Sequence, residues 1–143
     1  MNKAIVFDMD ECLGSFWSLW PFYYLYNESI INDKEKIQKI VINDILLTCC
    51  RPNLEYILIF LNILKKNNKI KQVFLYTNNG NYQTVLEKKE NKISFPNFII
   101  ECIEKLYKIQ GLFDLVFETV FIRKKEAKKH IKEKFIDDIK IHG

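Results

Sequence analysis

The run Ala4-Ile5-Val6-Phe7 is apolar without alternation, and it stops at two aspartates separated by a single residue, Asp8 and Asp10. A short, continuous, β-branched run of this kind reads as a strand buried in a parallel sheet. Two acids at its tip cannot serve a core, so their placement calls for chemistry. A second short apolar run, in "KQVFLYTNNG", reaches Thr77 after "VFLY" and enters a turn. "FDLVFETVF" is a third strand candidate, and "KFIDDI", ending in Asp137 and Asp138, is a weaker fourth.

Helical periodicity fills the intervals. Residues 34–48 place Ile37, Ile40, Val41, Ile45 and Leu46 at helical spacing, with Asp33 as N-cap. "RPNLEYILIFLNILKKNN" predicts a helix with Pro52 in its first turn and Leu54, Ile57, Leu58, Leu61 and Leu64 on its inner face. "NYQTVLEKK" and "NFIIECIEKLYKIQG" predict two more, the latter closed by Gly111 at C′. A short basic helix from Lys125 to Glu133 precedes the last strand. Strands alternating with helices specify an α/β domain with a mainly parallel sheet. At 143 residues the chain is expected to form one domain, residues 1–143, with residues 14–50 as a flap or cap insert.

In an open parallel sheet, ligands bind at the carboxyl ends of the strands. If the strands are neighbours, Asp8, Asp10, Asp137 and Asp138 crowd one pocket with Thr77. A divalent cation relieves that crowding, and an all-oxygen donor set favours Mg²⁺. The i, i+2 spacing sets Asp8 and Asp10 on one side of an extended chain. Asp8 is then placed to attack a phosphorus atom, and Asp10 to protonate the departing oxygen and activate water.

Composition removes other classes. Hydrophobic residues are 48% and charged residues 28%, the balance of a globular chain. The net charge of +4 comes from lysines interleaved with acids, which read as solvated helix faces; no basic-aromatic alternation signals nucleic acid. The longest apolar run, "YILIFLNIL", is too short to span a bilayer. The start is polar, unlike a signal peptide, and Cys12, Cys49, Cys50 and Cys102 form no CxxC pair or zinc spacing. An intracellular, cytoplasmic setting is expected, with the nucleus also open.

"VFDMDECLGS" resembles the first motif of the haloacid dehalogenase-like (HAD) superfamily, DxDx(T/V), "VFLYTNNG" its second and "FIDD" its acidic fourth. Arg51-Pro52 and "LYTNN" are similar to the FCP/SCP-type phosphatases, which act on phosphoserine of polymerase tails. The resemblance implies a three-layer Rossmannoid fold and a Mg²⁺-dependent phosphomonoester hydrolase forming an aspartyl-phosphate. It implies Asp8 as nucleophile and metal ligand, Asp10 as acid/base with its carbonyl on the metal, and Thr77 with the Asn78 amide on the phosphoryl oxygens. Asp138 would be the direct late ligand, with Asp137 orienting a water or the third-motif lysine, and the substrate a phosphoprotein or small phosphomonoester. That lysine would be Lys124 or Lys125, 13 and 12 residues before Asp137, a compressed interval. Cys12 stands where Thr or Val is usual, and the chain stops five residues after Asp138, which leaves half the metal site on a terminal segment.

Those departures motivate an alternative, a HAD-like binding or regulatory module without turnover. A receiver-type phosphoacceptor is a third option, disfavoured because no internal strand between Phe7 and Thr77 supplies its aspartate. "SFWSLWPFYYLY" holds seven aromatics in 12 residues. Core and cap packing is the plain account, and a substrate lip or protein-partner surface over residues 16–26 the other. The Cys49-Cys50 pair is expected to be buried helix surface.

Overall fold

The structure is a computed structural model that describes residues 3–10, 12–77 and 92–118. The expected helices at 81–89 and 125–133 and the fourth strand at 134–139 lie outside the described residues. The chain is α/β. Strands β1 (Ala4–Asp8), β2 (Gln72–Thr77) and β3 (Leu115–Glu118) form a parallel sheet in the order β1-β2-β3. Ala4 faces Gln72 and Asp8 faces Tyr76, while Phe74 faces Leu115 and Thr77 faces Glu118. Among the described residues β1 is paired on one side only.

Strand alternation sends Ile5, Phe7, Val73, Leu75 and Val116 to one face, where they join the main apolar core. Ala4, Val6, Asp8, Phe74, Tyr76 and Leu115 alternate onto the other face. There Val6 and Leu115 are exposed, and Phe74, although fully buried, stands apart from the main core. The two connections step in the same direction, so right-handed crossovers put their helices on a common face.

The helices are α1 (Trp20–Glu28), α2 (Ile31–Ile40), α3 (Leu46–Cys49), α4 (Leu54–Lys66) and α5 (Phe95–Tyr107). A 3₁₀ turn, Trp17–Leu19, leads into α1, and a π-helical turn, Val41–Ile45, joins α2 to α3. The helix expected over 34–48 is therefore interrupted, and Asp33 sits in its first turn while Ile30 takes the cap position. The buried residues explain the interruption. Val41 and Leu46 are five apart, and the i→i+5 bond from Leu46 N to Val41 O carries both to the core. Ile40 is turned outward as a result, and the buried Gln38 packs inward instead, hydrogen-bonded to Glu101 and Lys105.

Helix α4 starts after Pro52, not with it, because Asn53 adopts a left-handed conformation at φ 68° just ahead of Leu54. Its inner face holds Leu54, Leu58 and Leu61 in full burial and Leu64 partly, whereas Ile57 is exposed, against expectation. Helix α5 is the most deeply buried, with Phe95, Phe98, Ile99, Cys102 and Ile103 in the core. Ser94 caps it by accepting from Asn97 N at 3.3 Å. Its left-handed C-terminal residue is Lys108 at φ 56°, so Gly111 is not the C′ residue and serves a later turn at φ 86°.

The aromatic segment divides between the two accounts. Trp20 stacks on Phe95 with centroids 4.0 Å apart, and buried Tyr23 meets Phe95 edge-on and donates its hydroxyl to Ile93 O at 2.9 Å. Trp17, Tyr24 and Leu25 remain exposed. Cys49 and Cys50 are half-buried rather than buried, and all four thiols are free.

One ammonium ties α4 to the entrance of β3. Lys65 Nζ donates to Gly111 O and Leu112 O, each at 3.0 Å, and to Asp114 Oδ1 at 2.7 Å. Asp114 Oδ2 accepts from Val73 N at 2.8 Å, and Asp114 N donates back to Val73 O at 2.8 Å, so the β2–β3 pairing begins one residue before β3 does. Three donors meet three acceptors. Lys65→Met is expected to destabilise the fold by about 2 kcal/mol in urea unfolding, with part of the loss recovered in Lys65→Met/Asp114→Asn.

Burial in α5 pushes the Cys102 thiol from the ordinary 9.0 up to about 12, partly offset by Gln38. The unfolded thiol ionises first, so this contribution to stability is intact below pH 9 and is lost as pH rises from there toward 12. In that window stability should fall by about 1.4 kcal/mol per pH unit more steeply in the native chain than in Cys102→Ala. Equal slopes in the two unfolding series would contradict the assignment.

Candidate active site

Parallel register puts the carboxyl ends of all three strands on one edge of the sheet. Asp8 ends β1 there with an exposed side chain, pinned through Oδ1 by the Met9 amide at 2.8 Å. The strand stops at Asp8. Met9 turns fully into the core, and Asp10, half-buried, belongs to the loop that follows rather than to an extended chain. The loop closes on itself through Leu13 N to Met9 O at 3.0 Å, and Asp10 bridges Gly14.

The same loop is sutured to the end of α3. Gly14 bridges Cys50, Ser15 N donates to Cys49 O at 2.9 Å, and Arg51 N donates to Leu13 O at 2.8 Å. Gly14 is needed for this approach, since a Cβ there would lie 2.2 Å from Cys49 O and 3.0 Å from Cys50 Cα, both backbone. A cavity of about 280 Å³ opens beside it, lined by Asp10, Gly14, Ser15 and Trp17. Ser15 and Trp17 escaped the sequence reading as individual site residues. Their signal was position alone, directly downstream of the acids.

Thr77 reaches the same edge on the neighbouring strand, one residue beyond the partner of Asp8. Its side chain is 1% exposed and shares a face with those of Val73 and Leu75, on the opposite side of the sheet from Asp8. Glu118, the last residue of β3, pairs with Thr77 and is a further strand-end acid. Asn78, Lys124, Lys125, Asp137 and Asp138 lie outside the described residues. Among the described residues no group of three or more metal-ligating side chains gathers. The donor chemistry of Asp8 and Asp10 is nevertheless that of a hard cation, carboxylate and carbonyl oxygen without sulfur or imidazole. Cys12 is half-buried in the loop between them and Gly14.

A second cleft, about 250 Å³, lies between the start of α4 and Tyr107. Burial pushes the Cys50 thiol up, and burial with the neighbouring Cys50 pushes the Tyr107 hydroxyl up. Cys50 is therefore a poor nucleophile at neutral pH. Among the described residues no helix is long and apolar enough to cross a membrane. No family model matches the chain, and no curated protein or solved structure matches it either.

Because the suture allows no side chain at residue 14, Gly14→Ala is expected to cost about 2–3 kcal/mol, measured by urea or thermal unfolding. A variant as stable as the native chain would show that the loop and α3 can part freely.

Proposed function

We propose that the chain is a phosphomonoester hydrolase of HAD-like fold that works with Mg²⁺ through an aspartyl-phosphate, with a phosphoprotein as a candidate substrate. The observation that carries this reading is the exposed Asp8 carboxylate at the sheet edge to which β2 also brings Thr77. Asp8, the Asp10 carbonyl and Asp138 would hold Mg²⁺, with Asp137 beside them. The ion, when bound, supplies the positive charge that offsets the phosphoryl oxygens.

Asp8 attacks phosphorus with its free oxygen, and the bond from phosphorus to the ester oxygen breaks. Asp10 gives the departing oxygen its proton. In the second half, Asp10 takes a proton from water, the water oxygen bonds to phosphorus, and the Asp8–phosphorus bond opens to release phosphate. Thr77 and the Asn78 amide would hold phosphoryl oxygens, and Lys124 or Lys125 would neutralise them. Trp17 and Ser15, lining the cavity beside Asp10, would contact the leaving group.

A second reading, a binding or regulatory module of the same fold without turnover, is favoured by the near-complete burial of Thr77. The two separate by assay. Hydrolysis of p-nitrophenyl phosphate by purified protein with Mg²⁺ should fall about 10³-fold in Asp8→Asn, with the fold unchanged by circular dichroism. Activity unaltered by that substitution sinks the enzyme reading. Mg²⁺-dependent trapping of beryllofluoride on Asp8 counts against the module.

A further inference from the structure

Helix α4 is apolar on both sides. Leu54, Leu58 and Leu61 point into the core, and the opposite side carries Tyr56, Phe60 and Ile63 at i, i+4 and i+7, with Ile57 on one flank. Tyr56 is 72% exposed, Phe60 59%, Ile63 50% and Ile57 48%. The outer face of a surface helix is normally polar. Four such side chains make a contiguous patch of roughly 400 Å², the size that marks an interaction site on a soluble protein.

We propose that this face packs against α4 of a second copy of the chain, antiparallel, about a twofold axis that passes beside Phe60. The charges of the helix argue for that occupant. Glu55 and Lys66, both exposed, are eleven residues apart, about three turns, so they lie on the same flank near opposite ends. A twofold axis perpendicular to the helix keeps that flank beside itself and reverses its direction. Glu55 then meets Lys66 of the partner subunit, and the pair occurs twice. On the other flank Ile57 meets Leu64 of the partner subunit, Tyr56 meets Ile63 of the partner subunit, and Phe60 meets its own symmetry mate. A parallel arrangement would instead set the Glu55–Lys66 flank against the apolar Ile57–Leu64 flank of the partner and leave both charges unpaired. Antiparallel helix dipoles also attract. The patch covers about half of the ~800 Å² per partner of a stable interface, which sets the expected association in the weak range.

The test is sedimentation of the full chain across a concentration series. The native protein should dimerise with a Kd in the micromolar range. Phe60→Glu should weaken association at least tenfold while its unfolding midpoint, read at a concentration where the native chain is monomeric, stays put. Glu55→Lys and Lys66→Glu should each weaken it about fivefold, and the double exchange should restore it to within about twofold. A native chain that stays monomeric, a dimer indifferent to Phe60→Glu, or an exchange that fails to restore association would overturn the proposal. The readout is independent of phosphatase activity.

Discussion

The parallel pairing of β1 with β2 is the constraint on which the rest depends. It aligns two segments nearly seventy residues apart so that Asp8 and Thr77 reach the same edge of the sheet. An antiparallel pairing of the same two strands would send those residues to opposite ends. Parallel strands require a long crossover, and here the crossover contains α1 to α4 and supplies much of the core. Apolar packing on one face thereby positions polar groups at the rim.

The crossover also returns to the rim. The end of α3 is bonded to the loop after β1 through Cys49, Cys50 and Arg51, and Gly14 is the point of closest backbone approach. Asp10 thus lies in a loop held at both sides, by its own turn and by α3. The aromatic segment leaves that loop and anchors in α5 through Trp20 and Tyr23, while Trp17 stays beside Asp10. Loop, helix and aromatic anchor form one support for the segment that carries Asp10.

Much of this was legible in the sequence. The three described strands fall where short β-branched runs predict them, and Asp8 and Thr77 end neighbouring strands at one edge of the sheet. Departures arise where tertiary packing overrides local pattern. Periodicity assumes 3.6 residues per turn throughout, so it could not anticipate the π turn that brings Val41 and Leu46 into line and exposes Ile40. Gly111 is the usual helix terminator, yet Lys108 takes the left-handed position because Ile109 and Leu112 must turn into the core. The sequence placed Asp10 on an extended chain because spacing alone cannot show where a strand ends. Its true setting follows from Met9 being buried and Leu13 bonding back to it. Asn78, Lys124, Lys125, Asp137 and Asp138, expected from the sequence to join Asp8 and Thr77, lie outside the described residues.

The π turn between α2 and α3 leaves a lasting mark on how this chain can vary. It accommodates one surplus residue inside an otherwise regular helix while keeping the flanking segments in phase with the core. Removing a single residue from Val41–Ile45 would let the helix run straight yet still present the position of Leu46 inward. A length change at this spot is therefore absorbed in place, whereas the same deletion within α4 or α5 would rotate everything downstream by roughly a quarter turn. The interruption works as a length tolerance, set apart from the loop that holds the acids.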